Sequence, residues 1–530
     1  MFSMKEESIL PIRVPLRVII SFSLQIMLLA CAVTLHISGS ITEVYNWYVF
    51  RNFCIFLCAV VFCASDLRKR ILLLAFFCTS FIFLGCRTLI DFFRGEQWWI
   101  GFQPQDILFA LNSVALSMLM LYAGAILYIC TVKPKRAADK SLAAPKTTDA
   151  QNACSTASLQ ITALCLYIIC MAFYLYCEFD KLAFMHGRVY MDYFILYTPS
   201  YPALFGSISY CMPFALCAFL AALPKKKLAF AALTVYLLSA VPQLIIGIRN
   251  PFILNALFIF LYCFIRDYLG DTKRWLGRWE ICATAALLPF ACIGLSVLNY
   301  TREGISPESS NVFSLIIDLF YRQGASFWTL CVGHAVLPIL PGVKRNFTFG
   351  SMIDYILYGR IGRMLFGTTA LPSGNSAELA TRSHSLSHAI SFAGHTGYLE
   401  GHGLGSSYIL EVFSDYGYAG IIIFSLLLGV FLLYCMDAVR KGWFTRTLIL
   451  LFLGKLDGTP AVFFKVVRKP HQTAEGSDFI ESLFDIIMID FDGAVKMLDS
   501  VPVITVQHEP AFEEMRLRGG VYVGAFRDDS

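Results

Sequence analysis

The segment from Gly403 to Val439 reads GLGSSYILEVFSDYGYAGIIIFSLLLGVFLLYCMDAV. Its final part, Ala419–Val439, is an apolar run long enough to cross the hydrocarbon of a bilayer as a helix. Its beginning is polar, with adjacent serines followed by Glu411 and Asp415. A helix that only packs against lipid has no use for such residues. The segment therefore predicts a transmembrane helix preceded by a polar binding position.

The composition of the whole chain is that of a membrane protein. Of the 530 residues, 57% are hydrophobic and 15% are charged, whereas soluble domains carry about 25% charged residues. Apolar runs of about 18 residues or more recur along the chain, which is the length a crossing helix needs. The alternating segments of a membrane β-barrel are not found in the sequence. We therefore predict an all-α fold, a polytopic transmembrane helical bundle with about ten to twelve spans.

Ten apolar segments are the predicted spans. They are Arg17–Ile37, Trp47–Ser65, Ile71–Leu89, Ile107–Val132, Leu159–Cys177, Tyr201–Leu223, Leu228–Ile248, Pro251–Ile265, Ile281–Tyr300 and Ala419–Val439. The first is too long for the apolar region of a signal peptide and lacks a cleavage site, so we expect it to be retained. Two more segments, Val312–Phe327 and Met352–Phe366, have an amphipathic pattern that fits helices lying on the membrane, dipping into it or crossing it.

Basic loops predict the orientation, because lysines and arginines collect on the cytoplasmic side of membrane proteins. If the helices alternate, the basic loops fall on one side together with the N-terminus. These loops are residues 66–70, 133–146, 225–227, 266–278 and 440–446. The segments then predicted to be outside are Asp91–Gln105, Glu178–Ser200, the turn around Arg249, and the long stretch Thr301–Gly405.

The chain changes character near residue 454. Residues 1–454 are the predicted membrane domain, with a large extracytoplasmic loop over residues 301–405. Residues 455–530 carry 8 Lys and Arg residues against 13 Asp and Glu residues, which is the composition of a soluble, acidic segment. We expect an atypical soluble C-terminal tail of unknown function. A gene fusion or a frameshift would explain the change.

Three of the arginines in the segments predicted to be outside are candidates for phosphate binding. Arg249 lies in the motif GIRNP between two spans, Arg302 lies in NYTREG at the end of a span, and Arg188 lies in a loop. A guanidinium binds phosphate oxygens in a bidentate geometry, so converging arginines would suit a pyrophosphate. The alternative is that these side chains only reach towards the headgroups or pair with an aspartate.

The motif YRQGASFW, residues 321–328, combines an amide, a glycine and aromatic rings. Gln323 can donate and accept hydrogen bonds, and Gly324 permits the close approach of another chain. Amides together with stacked aromatic rings bind sugars. The alternative is an amphipathic helix that rests on the bilayer with Trp328 at the headgroups.

Five of the nine histidines lie in the predicted outer loop. They are His334, His384, His388, His395 and His402. His384 and His388 would share one face if the segment were helical, but the glutamate of an HExxH zinc site is missing between them. A more attractive role for His388 is that of a general base, in which its neutral imidazole takes a proton from a sugar hydroxyl. An ordinary surface histidine is the alternative.

The residues before the last predicted span can hold an anion. Gly403, Gly405, Ser406 and Ser407 can present backbone N–H groups at the beginning of a helix, where negative charge is favoured. Glu411 and Asp415 follow at helical spacing on one face. Either carboxylate could deprotonate a hydroxyl or hold an arginine. The alternative is a capped helix with two interfacial acids.

Four of these elements resemble, in the same order, the motifs of the bacterial O-antigen polysaccharide polymerases, the Wzy family. They are Gly247–Arg249, Arg302–Gly304, Gln323–Ser326, and Gly403–Glu411 followed by Tyr416 and Gly417. The last element is the most specific. The same region is similar to the end of the O-antigen ligases, but Ser406 and Ser407 stand where a ligase has a His-Asn pair. This difference argues against a ligase.

The resemblance implies a multi-pass membrane glycosyltransferase of the bacterial cytoplasmic (inner) membrane. Such an enzyme polymerises oligosaccharide repeat units into O-antigen or capsule-type polysaccharide at the outer face. Donor and acceptor would both be undecaprenyl-pyrophosphate-linked glycans in the lipid bilayer, with a chain-length regulator and a flippase as further partners. No cofactor, no metal and no nucleic acid are expected.

The resemblance and the residue chemistry together suggest roles for particular side chains. Arg249 and Arg302 would stabilise the leaving pyrophosphate, and Glu411 or His388 would act as the base. The residues predicted to bind substrate are Arg188, Gln323, Gly324, Ser326, Gly405, Ser406, Ser407 and Tyr408. A ligase and a transporter of lipid-linked sugars remain alternatives. Transporters tend to have inverted repeats and broken helices at the midplane, and no repeat is visible in the sequence.

Overall fold

The structure is a computed structural model that describes residues 16–132, 149–188, 193, 196–248, 250–270, 274–303, 312–340, 346–372 and 374–454. Most of these residues are helical, and no β-strand occurs among them. The helices up to residue 303 are α1 Leu16–Thr42, α2 Tyr45–Ser65, α3 Leu67–Leu84, α4 Cys86–Arg94, α5 Pro104–Thr131, α6 Asp149–Phe184, α7 Ala203–Tyr210, α8 Met212–Ala221, α9 Lys226–Leu238, α10 Val241–Ile246, α11 Asn250–Leu269 and α12 Arg278–Glu303.

Shorter helices follow, and then one long helix. They are α13 Val312–Gln323, α14 Ser326–Val336, α15 Gly350–Tyr358, α16 Arg360–Phe366, α17 Ala377–Arg382, α18 Leu386–Gly394, α19 Tyr408–Ala438 and α20 Trp443–Gly454. Short 3₁₀ turns occur at Leu337–Ile339 and Thr396–Glu400. The two segments with an amphipathic pattern are therefore helical, but the helices they form have at most 12 residues. That length is too short to cross a bilayer.

The prediction of an all-α polytopic membrane protein is confirmed. Within the described ranges, eight helical stretches are long and apolar enough to span a membrane, and the pair α3 and α4, bent by 48°, would make a ninth. The eight stretches are Val18–Thr42, Tyr45–Ser65, Pro104–Thr131, Ala157–Phe184, Leu204–Ala221, Lys226–Ile246, Asn250–Leu269 and Tyr408–Ala438. The predicted span Ile281–Tyr300 is helical within α12. The acidic tail, residues 455–530, lies outside the described residues.

Three of the basic loops meet at one end of the bundle. Arg266, near the end of α11, donates a hydrogen bond of 3.0 Å to the carbonyl of Pro224, which follows α8. Arg440, which follows α19, donates to the carbonyl of Tyr268 at 3.3 Å. The loops after α8, α11 and α19 therefore lie together, as the charge pattern predicts. The assignment of this end to the cytoplasm remains a prediction.

Helices α5 and α19 pack along each other in the same direction. Gly429 lies against the backbone of Leu121, and a Cβ atom at position 429 would overlap the carbonyl there. Small residues permit this approach of two membrane helices. Further along both helices, the Tyr128 hydroxyl donates to Asp437 at 2.8 Å. This parallel arrangement of α5 and residues 418–438 is the one expected if α5 and the predicted span Ala419–Val439 enter the membrane from the same side.

Candidate functional site

Helix α19 is folded back on itself at Gly417. This residue has φ 63° and ψ −156°, a conformation that is essentially restricted to glycine. It divides α19 into a first arm, residues 408–416, and a second arm, residues 418–438. The hydroxyl of Tyr408 lies 3.4 Å from Ser425 Oγ, although a straight helix would separate residues 17 positions apart by about 25 Å.

The fold-back places the beginning of α19 inside the bundle. Tyr408 is buried, and its hydroxyl is hydrogen-bonded to Ser117, in the fourth turn of α5. Phe413, later in the first arm, contacts Phe109, which lies two turns nearer the beginning of α5. The first arm therefore rises towards Gly417, and the second arm descends again. The second arm corresponds to the predicted span Ala419–Val439, and the first arm to the helical start predicted at the serines, whereas the fold-back between the two arms was not predicted.

The beginning of the first arm is held by three side chains. Ser407 is the N-cap, and its Oγ accepts a hydrogen bond from the Leu410 N–H at 3.3 Å. The preceding Leu404 is fixed on both sides of its backbone. Its N–H donates to Ser391 Oγ at 2.9 Å, and its carbonyl accepts from Thr329 Oγ1 at 2.8 Å. The prediction that a helix begins at these serines is confirmed.

Ser406 has an unsatisfied hydroxyl next to this helix N-terminus. The residue is 7% exposed, and its Oγ has no hydrogen-bond partner among the described residues. An unpaired buried polar group costs about 1–3 kcal/mol. Gly405 precedes it with φ +72°, which turns the chain into the helix. The free N–H groups of a helix start attract anions, so Ser406 and the N-terminus of α19 together form a candidate anion position.

The two acids of the first arm have different surroundings. Asp415 accepts hydrogen bonds from the backbone N–H groups of Phe347 and Thr348, at 3.1 and 2.6 Å, and from the Thr348 hydroxyl. It therefore ties the segment before α15 to the first arm, near Gly417. Glu411 is half-buried, and its carbonyl accepts from the Thr348 hydroxyl at 3.4 Å. Its role as a base remains a prediction.

The motif YRQGASFW lies at the junction of α13 and α14, where its rings are packed within the protein. Trp328 is buried and stacks on Phe102 at 5.1 Å. Tyr321 lies under the Arg87 guanidinium, 4.4 Å from its ring centre. Gly324 is in contact with the backbone of Arg87, so the close approach expected at this glycine is made by the protein's own chain.

Two polar members of the same motif are more accessible than its rings Phe327 and Trp328. Gln323 ends α13 and Ser326 begins α14, and both side chains are half-buried. Substrate binding by Gln323, Gly324 and Ser326 remains a prediction. The surroundings of Tyr408 favour a structural role instead, because its hydroxyl is engaged with Ser117 inside the bundle.

Of the three arginines predicted to converge, only Arg188 has its side chain among the described residues. Arg249 lies outside the described residues, between α10 and α11. Arg302 lies in the last turn of α12, and its side chain is outside the described part. Arg188 is exposed in the loop after α6, with its guanidinium 4.1 Å from the ring centre of Phe184. Its contact is local to that loop.

The two histidines predicted to share a helical face do not do so. His388 lies in α18, whereas His384 precedes the helix and its N-cap Ser385. His388 Nδ1 is 3.0 Å from the hydroxyl of Tyr398. His384 Nδ1 is 2.9 Å from Asp354, which also accepts from the His384 N–H at 2.8 Å. Helix α18 begins only at Leu386, so the helical spacing that the sequence suggested does not extend back to His384.

A pair formed by a histidine and an aspartate was not recognised in the sequence. His334, in the last turn of α14, has its Nδ1 2.6 Å from Asp106, in the first turn of α5. The Asp106 side chain is 1% exposed, and that of His334 is 25% exposed. The signal that could have found them is an ionisable residue in apolar surroundings, which is usually functional in a membrane protein. Their separation of 228 positions conceals the pairing.

A family model decides the identity of the chain. The model for O-antigen polysaccharide polymerase Wzy matches residues 18–460. The protein belongs to the Wzy family of O-antigen polysaccharide polymerases. The comparison with curated proteins gave no match, and neither did the comparison with solved structures.

Membership of the Wzy family confirms several predictions. The chain is a multi-pass membrane protein and an enzyme of the polymerase type, which takes part in the formation of O-antigen polysaccharide. A broken helix that begins inside the bundle is also common in transporters, but the match over nearly the whole chain favours the Wzy polymerases. Among the described residues, no group of three His, Cys, Asp or Glu side chains is placed to hold a metal ion.

Proposed function

We propose that this Wzy polymerase joins undecaprenyl-pyrophosphate-linked oligosaccharide repeat units at the outer face of the bacterial inner membrane. A hydroxyl of the incoming unit attacks the anomeric carbon of the growing chain. The bond from that carbon to the pyrophosphate breaks, and the lipid pyrophosphate leaves with the electron pair. Such a substrate requires an apolar surface for the lipid, a position for a multiply charged anion, and polar contacts for sugars.

One observation carries the proposal: the N-terminus of α19 and the unpaired Ser406 hydroxyl lie inside an apolar bundle. An anion that reaches this depth gains from the helix N–H groups, because few waters compete there. The pyrophosphate is the charged part of the proposed substrate nearest to its lipid. A position for it below the polar surface therefore fits the way in which the substrate would be anchored.

Positive charge is required as the leaving group departs. Arg249 and Arg302 are proposed to provide it, with Arg188 as a further contact to the substrate. Arg302 is attached to the last turn of α12, and Arg249 follows α10 in sequence. A fixed cation stabilises the charge that develops in the transition state, and this effect is usually the largest in such reactions. Arginine can supply this charge without a metal ion.

Sugar recognition is assigned to the polar residues of the two motifs. Gln323, Ser326 and Ser407 are proposed to contact the glycan or the phosphates, with Glu411 or His388 as a base for the attacking hydroxyl. A chain-length regulator and a flippase are proposed as partners in the same membrane.

Replacement of Arg249 by alanine tests the proposal. In a strain that lacks the chromosomal gene, Arg249→Ala should leave single repeat units and no long polysaccharide, as seen on a gel of surface glycan. The matched control is Arg440→Ala at the basic end of the bundle, where the arginine binds the Tyr268 carbonyl. The control should form a normal ladder. A normal ladder from Arg249→Ala would remove this residue from the mechanism.

The same gel separates the polymerase from a ligase. Loss of a ligase leaves long chains attached to undecaprenyl, whereas loss of a polymerase leaves single units on the carrier. Long carrier-linked chains in the deletion strain would contradict the proposed function.

A further inference from the structure

We propose that His334, positioned by Asp106, is the general base that takes the proton from the attacking sugar hydroxyl. This inference rests on the proposed polymerase reaction and assigns the base of that reaction to His334 in place of Glu411 or His388. Neither His334 nor Asp106 belongs to the motifs that carry the resemblance to the family.

The geometry of the pair selects one tautomer of the imidazole. A carboxylate can only accept hydrogen bonds, so at 2.6 Å from Asp106 the Nδ1 atom of His334 carries the proton. Nε2 is then the unprotonated nitrogen and can accept a proton. When it does so, the Asp106 carboxylate stabilises the positive charge on the imidazolium.

The surroundings hold the ring in this orientation. The imidazole of His334 stacks on Phe109, with 4.1 Å between ring centres and 18° between planes. The ring centre of Phe413, in the first arm, lies 5.8 Å from the ring centre of His334. Because Asp106 is almost fully buried and His334 is a quarter exposed, the imidazole is the part of the pair that a substrate can reach.

Helix α14, which carries His334, packs against the first arm close to the candidate anion position. Gly333, adjacent to His334, packs directly against the side chain of Leu410, which is less than one helical turn beyond the N-cap Ser407. On the same helix α14, Thr329 is hydrogen-bonded to the carbonyl of Leu404. One short helix therefore supports both the base and the segment that would bind the pyrophosphate. A glycosyl transfer needs these two groups on either side of one anomeric carbon.

A second Asp–His pair, Asp354 with His384, has a purely structural role and can be compared with the first. Asp354 accepts hydrogen bonds from Ser383 Oγ, at 2.7 Å, and from both the backbone and the ring of His384. Its two oxygens are thus used to hold a loop. Asp106, by contrast, has an Oδ2 atom without a hydrogen-bond partner among the described residues. A buried carboxylate oxygen left unpaired is costly, and such a group needs an explanation such as a catalytic role.

The hydroxyl oxygen of the acceptor forms a bond to the anomeric carbon while its proton moves to His334 Nε2. The bond from the anomeric carbon to the pyrophosphate oxygen breaks, and its electron pair leaves with the lipid pyrophosphate. The proton on His334 is then released to water.

The test uses the purified full-length protein in proteoliposomes. The substrate is the lipid-linked repeat unit extracted from a strain that lacks this polymerase, and elongation is measured by gel. We expect His334→Ala to slow elongation by about 100-fold or more, and His334→Gln to be equally slow. Added imidazole should restore part of the rate in His334→Ala, and more basic methylimidazoles should restore more. Gel filtration and thermal unfolding in detergent show whether each variant is folded.

Asp106 is tested as a positioning residue. Asp106→Asn should lower kcat while the KM for the lipid-linked unit stays unchanged, and Asp106→Glu should recover part of the rate. The matched control is His384→Ala, which removes the other Asp-paired imidazole. Its elongation rate should not respond to imidazole.

The outcomes separate the inference from the proposed function. If the wild-type protein elongates the units and folded His334→Ala does so equally well, His334 is not the base, while the proposed function stands. A slow, folded His334→Ala variant that no imidazole restores would also overturn the inference. If the wild-type protein itself does not elongate the units, the proposed function fails.

Discussion

Gly420 lies so close to Val412 that a Cβ atom on the glycine would come within 2.7 Å of Val412 Cγ1 and 2.9 Å of its carbonyl oxygen. The two residues belong to opposite arms of α19, which are therefore in direct backbone contact just beyond Gly417. This contact shows how a nominal helix of 31 residues can bring its own beginning back into the bundle. The candidate site depends on this arrangement.

Gly417→Ala should disrupt the fold-back. At φ 63° and ψ −156° a side chain is strained by about 1–3 kcal/mol, so we expect a lower thermal unfolding temperature in detergent and little polysaccharide. Gly442→Ala is the matched control, because its Cβ would meet no atom within 4 Å. Equal stability of the two variants would show that the backbone at Gly417 is not required to be in this conformation.

Tyr408→Phe should weaken the protein slightly and leave polymerisation intact. The substitution removes a buried hydroxyl, but Ser425 and Ser117 remain hydrogen-bonded to each other at 3.2 Å. We expect a loss of about 1 kcal/mol, measured by thermal unfolding, with a normal glycan ladder. A stable variant without a ladder would instead place this hydroxyl in substrate binding.

Ser406→Ala and Ser407→Ala should affect the protein in opposite ways. Ser406 has an unpaired hydroxyl, so its removal should leave stability unchanged or raise it, while polymer formation falls about 10-fold if the hydroxyl binds a phosphate oxygen. Ser407 is the N-cap, and its removal should cost about 1 kcal/mol of stability. Thermal unfolding and a glycan gel measure both effects. Full activity in folded Ser406→Ala would contradict the anion position.

Asp415→Asn should release the segment before α15 from the first arm. The amide can no longer accept from both backbone N–H groups of Phe347 and Thr348, and about 1–3 kcal/mol should be lost. Trypsin cleavage after Lys344 or Arg345 should then become faster. Asp267→Asn is the control, because Asp267 also accepts from two backbone N–H groups, those of Trp275 and Leu276. If the cleavage rates of both variants equal that of the wild type, Asp415 does not hold this segment.

Much of the fold was predictable because it depends on local properties of the chain. Apolar runs of sufficient length predicted the crossing helices, and the paired serines predicted the beginning of α19. The grouping of basic loops at one end followed from charge alone. These features need no knowledge of which segments meet, since each results from the transfer of a short segment into lipid or from the hydrogen bonding of a helix terminus.

The fold-back and the His334–Asp106 pair could not be predicted in the same way. Hydropathy is averaged over a window and does not show whether the chain reverses its direction. The sequence therefore gives no sign that residues 408–418 fold back against Ala419–Val439. Glycine occupies positive and negative φ about equally in isolation, and only the packing of the arms against α5 selects the conformation of Gly417. Asp106 and His334 meet because α5 and α14 pack together, and that contact depends on long-range packing that no local pattern encodes.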